Sequence, residues 1–119
     1  MGYRFYNANP LNVYTDDCVL RCISVCEGIS WRDCHKKLSY LSSKEGKVLN
    51  DVEFVENYLD ERYPRTCYKN IRIGEFAEKC PKGNFAVTTK GHIVAVIDNA
   101  IVDTWDCSNR IMKCCWKVK

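Results

Sequence analysis

The sequence predicts an α+β fold, with N-terminal helices packed on a C-terminal antiparallel β-sheet. Three observations carry that expectation. Apolar residues recur at helical spacing from Cys18 to about Lys79. From Asn84 onward the apolar period changes to that of a strand. Helices are thus followed by strands instead of alternating with them, which separates α+β from α/β order. The 119 residues suit one domain spanning 1–119, with no repeats, low-complexity stretch or internal linker.

The first 17 residues read as an irregular lead-in, punctuated by Asn9-Pro10. They end in Thr15-Asp16-Asp17, three N-cap candidates for the apolar segment Cys18 to Cys26. That segment has apolar residues on most faces, so it is expected as a buried helix closed by Gly28. A second helix begins at Ser30, where Ser30 and Asp33 resemble a capping box and Ile29 and Cys34 a hydrophobic staple. It carries Trp31, Cys34, Leu38 and Leu41 at helical spacing and ends near Lys44-Glu45-Gly46. A third is expected from Asn50, with Val52, Val55, Tyr58 and Leu59 as its stripe and Pro64 as its stop. A short fourth fits Gly74 to Lys79, before Cys80-Pro81-Lys82-Gly83.

Asn84 to Thr89 reads as a strand, and Lys90-Gly91 as a turn. The run Ile93-Val94-Ala95-Val96-Ile97 suits a central strand covered on both faces. Asp98-Asn99 gives a hairpin signal, with Ile101 to Trp105 as the return strand. In the tail, Met112, Cys114, Trp116 and Val118 alternate with Lys113, Lys117 and Lys119, as on a half-buried strand with a lysine-guarded edge.

Composition excludes several functions. Net charge is +3 with scattered basic residues, so no nucleic-acid stripe is expected. No apolar run approaches the ~20 residues of a membrane span. Nine cysteines are many, but the number is odd and Met1-Gly2-Tyr3-Arg4-Phe5 has no export core. A cytoplasmic, reducing setting with mostly free thiols is the expectation. Cys18, Cys22 and Cys26 repeat every four residues, but structural zinc sites usually begin with Cys-x-x-Cys, and none occurs. No metal or other cofactor is expected.

A cysteine acts as a nucleophile in its thiolate form, which a helix N-terminus stabilises. Only Cys18 lies at a predicted helix start; Cys22 and Cys26 lie deeper in the same apolar helix, where thiols stay protonated. A base is needed, and the chain has two histidines. His35 lies beside Lys36-Lys37 and reads as a surface residue. His92 follows Gly91 and opens the central strand, on a rigid element at the sheet end. A third group should accept the second imidazole N–H. If Asp98-Asn99 is a two-residue loop, Val94 lies opposite Asp103, a diagonal neighbour of His92 on the same face. A three-residue loop brings Asp106 opposite His92 instead, so register decides between Asp103 and Asp106. Asp103 also lies inside an apolar strand, where an unpaired charge is costly.

These residues resemble papain-like cysteine peptidases. Thr15-Asp16-Asp17-Cys18 is similar to the nucleophile region, closest to the Asp-Cys start of bacteriocin-leader-processing peptidases. Gly91-His92-Ile93-Val94-Ala95-Val96 resembles their His-strand. Asp103-Thr104-Trp105 is similar to papain's Asn-Ser-Trp, which favours Asp103 and gives Trp105 a shielding role. The family's oxyanion-stabilising Gln lies six residues before the cysteine, where this chain has Asn12. The pattern also resembles small uncharacterised bacterial and phage proteins, over roughly residues 9 to 108. The resemblance implies a minimal papain-like fold and acyl transfer by Cys18, His92 and Asp103 on a protein or peptide substrate. A competing reading is a papain-like fold without turnover, acting as a binding or inhibitor protein, for instance a phage product aimed at a host factor. The cysteine-rich zinc module is a third.

Overall fold

The computed structural model describes residues 2–119; Met1, the first residue of the expected domain, lies outside them. In chain order the elements are β1 (Gly2–Phe5), α1 (Cys18–Glu27), α2 (Trp31–Lys44), α3 (Val52–Asp60) and β2 (Arg65–Cys67). They continue with α4 (Ile73–Lys79), β3 (Asn84–Thr89), β4 (His92–Ile97), β5 (Ala100–Asp103) and β6 (Met112–Lys117). The class is α+β. The strands form one six-stranded sheet in the order β1-β5-β4-β3-β6-β2.

α1 starts at Cys18 and stops at Gly28, which adopts φ +71° and returns its N–H to the Ser24 and Val25 carbonyls. Only glycine takes that left-handed conformation at little cost. α2 is capped by Ser30, whose hydroxyl accepts the Asp33 N–H at 3.0 Å. Cys34 and Leu38 are fully buried on its inner face. α3 starts two residues later than expected: Asp51, not Asn50, caps it by accepting the Glu53 and Phe54 N–H groups. Phe54 joins Val55, Tyr58 and Leu59 in the core, whereas Val52 is exposed.

Apolar residues fill both faces of the sheet. On one face, α1, α2 and α3 cover a cluster that includes Ala86, Ile93, Ala95 and Trp116. On the other, Ile73, Phe76 and Ala77 of α4 pack with Phe85, Val87, Val94, Val96 and Ile101. This two-sided burial explains why β4 reads as a continuous apolar run.

Four expectations are corrected. The sheet is mixed, not antiparallel, because β1 pairs parallel with β5 (Tyr3 opposite Ile101, Phe5 opposite Asp103). The lead-in therefore contains a strand, too short and too exposed to show a period. β6 is not an edge, because β2 pairs with it on its outer side. A bulge between Val87 and Thr89 shifts the β3–β6 register by one residue, so Met112 packs on the α4 face while Trp116 packs on the α1 face. Finally, Cys67 and Cys114, direct partners in the β2–β6 ladder, are joined by a disulfide. The other seven cysteines are free. Among the described residues no helix is long and apolar enough to cross a membrane.

Candidate active site

The site is built from the first residue of α1, the first of β4 and the last of β5. Cys18 is partly exposed at the α1 start. Asp17 precedes it but does not cap the helix with its side chain, contrary to the N-cap expectation. Its carboxylate instead accepts the Trp31 indole N–H at 2.9 Å and pairs with Arg21. The first amides of α1 thus have no side-chain acceptor. An open helix N-terminus of this kind stabilises negative charge on or near its first residue.

His92 follows the two-residue turn Lys90-Gly91, in which Gly91 takes φ +71°. The β4–β5 hairpin closes on Asp98 and Asn99 with φ +45° and +71°, the mirror-image turn that matches strand twist. Ile97 pairs with Ala100 and Ala95 with Val102, which is the register of the two-residue loop. Extended by one step, that register sets Asp103 diagonal to His92. The His92 Nε2–H reaches Asp103 Oδ2 at 2.7 Å, and both side chains are buried. Asp106 does not join them: it is exposed and accepts the Ser108 N–H at 2.9 Å. Asp103 is the member that the structure brings to His92.

The backbone of Asp103 is itself gripped. The Tyr3 hydroxyl and the Tyr6 N–H both donate to its carbonyl, at 3.1 and 3.0 Å. Its Oδ1 accepts the Thr104 N–H at 2.7 Å. Trp105 lies 4.9 Å, ring centroid to centroid, from His92, with the two rings tilted by 40°.

Burial of the His92 ring disfavours its charged form, but hydrogen bonds to Asp103 and Cys18, and the negative charge of both, outweigh it and raise the pKa to about 9. With Nε2 engaged by Asp103, Nδ1 is the nitrogen left for the sulfur. Two grooves, each of about 310 Å³, meet at Cys18 and His92. One is lined by Val19, Val52, Val55 and Ile93 with Asp16, Glu56 and Lys113. The other is lined by Tyr14, Thr15, Arg21, Thr104 and Trp105. Somewhat larger hollows of about 440 and 490 Å³ lie elsewhere and touch neither Cys18 nor His92.

Asn12 is not brought to the site. It is exposed at φ +55° and does not line either groove. The loop folds on its own amides: Asn7 Nδ2 donates to the Val13 carbonyl, and Asn9 Oδ1 accepts the Leu11 N–H. Spacing from Cys18 could not reveal that path. His35 is exposed and stacks on Trp31, as its surface reading expected.

Sequence reasoning missed two neighbours. Arg21 donates to Asp103 Oδ1 at 3.2 Å. Its i, i+4 spacing from Asp17 was the signal that could have found it. Buried Cys107 has no such signal; its ligand atom lies within 4.8 Å of those of His92 and Asp103. The trio has metal-ligand chemistry but not metal-ligand spacing. Two ligands at 2.0–2.1 Å from a tetrahedral zinc lie about 3.3 Å apart, longer than the 2.7 Å that separates His92 from Asp103. Burial, with Asp103 nearby, pushes the Cys107 thiol up to about 12, so it stays protonated while no metal is bound. Cys22 and Cys26 are packed in the core, and Cys114 is in the disulfide. No family model, curated protein or solved structure matches this chain.

Proposed function

We propose that the chain is a papain-like cysteine hydrolase (peptidase, amidase or isopeptidase) acting on a protein or peptide through Cys18, His92 and Asp103. The observation that carries this reading is the buried His92–Asp103 pair at 2.7 Å beside the partly exposed thiol of an uncapped helix start. A carboxylate–imidazole pair has many structural uses, but one opening onto a groove with a helix-start cysteine is the arrangement that activates a thiol.

In this reading the Cys18 sulfur attacks a carbonyl carbon and forms a tetrahedral oxyanion, which the free amides at the α1 start stabilise. Imidazolium His92 gives its proton to the leaving amine, the C–N bond breaks, and a thioester remains. Neutral His92 then takes a proton from water, whose oxygen attacks the thioester. Collapse expels the Cys18 thiolate, releases the acid and restores the thiolate–imidazolium pair. Asp103 holds the ring in the required tautomer throughout. With Asn12 outside the grooves, the reading assigns oxyanion stabilisation to the backbone. A cytoplasmic setting belongs to the same reading and is supported by the seven free thiols; there the Cys67–Cys114 bridge would stand reduced.

The test is selective alkylation. With the disulfide intact, iodoacetamide at neutral pH should modify Cys18 at least ~10-fold faster than any other cysteine. Cys34, Cys107 and Cys115, with thiols pushed up to about 12, about 12 and about 11, are expected to be inert. Cys18→Ala should fold as the parent does and lose all hydrolysis of a peptide library. Uniform slow labelling would instead favour the non-catalytic binding protein.

A further inference from the structure

α1 is apolar over most of its length, yet one cation is set into its inner surface. Arg21 is 11% exposed, between Asp17 at 4% and Asp103 at 3%. Its Nη1 pairs with Asp17 Oδ1 and also donates to the Thr15 carbonyl at 3.4 Å. Its Nη2 donates to Asp103 Oδ1 at 3.2 Å, while Asp103 Oδ2 holds His92. Trp31 fixes the far oxygen of Asp17. Charges therefore alternate from Asp17 through Arg21 and Asp103 to His92.

Stability alone explains this poorly. Desolvating an arginine and two carboxylates is costly before their mutual attraction offsets it. The Arg21 Nε–H is buried with no acceptor, so the cluster is not fully satisfied. What the guanidinium does achieve is geometric. It reaches from the helix that carries Cys18 to the strand that carries Asp103, and it occupies one oxygen of Asp103 so that the other faces His92.

We infer that Arg21 is a positioning residue for the acyl-transfer site: it clamps Asp103 through Oδ1, braced by Asp17, and so fixes His92 against Cys18. This rests on the proposed cysteine-hydrolase reading. Without Arg21, only the Thr104 N–H restrains Oδ1. Carboxylate torsions are broad and two-fold, so the Asp103 plane is then free to turn away from the ring. Lysine keeps the charge but not the planar fork, and should restore the effect only in part.

The experiment measures Cys18 alkylation by iodoacetamide from about pH 5 to about pH 10, with thermal unfolding of each variant, for wild type, R21M, R21K, D103N and R21M/D103N. Expected for R21M is a half-maximal rate shifted up by about one pH unit, hence roughly ten-fold slower labelling below it. R21K should fall between R21M and wild type, and it supplies the measurement if R21M does not fold. Because Arg21 acts through Asp103, R21M/D103N should label no more slowly than D103N. Arginine variants whose pH profile overlays that of wild type, or a double variant slowed by the product of the single effects, overturn the inference. A wild-type Cys18 no faster than the other thiols would instead sink the hydrolase reading itself.

Discussion

At His92, opposing effects of comparable size act on one ring. Burial favours the neutral imidazole; Asp103 and Cys18 favour the cation and win, giving a pKa of about 9. The pKa is raised above the ordinary 6.5, so the stability it contributes is fully present below about 6.5 and lost as pH rises through about 9. In the proposed acyl-transfer reaction the same window governs chemistry, because the leaving amine needs the ring's proton. For any substrate cleaved, kcat/KM should fall on the alkaline side near pH 9, and Asp103→Asn should move that limb down toward the ordinary histidine range. An alkaline limb unmoved by D103N would remove Asp103 from the mechanism. The places of Cys18 and His92 were legible in the sequence because each owes them to backbone geometry, a helix start and a strand start. Hairpin register left Asp103 and Asp106 open until the two-residue loop brought Asp103 to His92. The places of Arg21 and Asn12 were not legible. The first acts through the reach of a long side chain, and the second depends on how a loop of asparagines folds on itself.

Most elements with a strong period were found in the sequence, although the β6 alternation misplaced Met112, and β1 and β2, which have no period, were missed. β4 and the Asp98-Asn99 turn announce themselves through an apolar run bounded by turn residues. β2 is three residues long and exposed throughout, so no alternation could mark it. What holds it is tertiary: Arg65 forks onto Asp60 at 2.9 and 2.6 Å, and the Trp116 indole donates to the same carboxylate at 2.8 Å. That cluster binds the end of α3, β2 and β6 at one carboxylate. The α3 start shows how close two cap candidates can be, since Asn50 and Asp51 are adjacent and both suitable. Asn50 is used elsewhere, its amide donating to the Asp16 carbonyl at 2.9 Å, two residues before Cys18. Asp51→Ala should therefore cost about 1 kcal/mol in denaturant unfolding. Asn50→Ala should cost less, and the opposite order would return the cap to Asn50.

For the whole molecule, the disulfide is the largest departure from expectation. Cysteine number and spacing gave no hint of it, since the pairing exists only once β2 lies beside β6. The bridge joins residues 47 apart in sequence, for which the chain-entropy model gives about 4 kcal/mol and measured bridges usually about 2 to 4. Dithiothreitol, or Cys67→Ala with Cys114→Ala, should lower the unfolding free energy by that amount. An unfolding curve indifferent to reductant would mean that the thiols are unlinked. The mixed sheet has a consequence of another kind, in time instead of energy. Asp103 hangs from a strand whose outer neighbour, β1, lies about a hundred residues earlier in the chain. During synthesis β1 emerges first, yet has nothing to pair with until β5 follows it out. Contacts of such long range form late in folding. A growing chain would thus carry Cys18 long before it could seat His92 and Asp103 beside it.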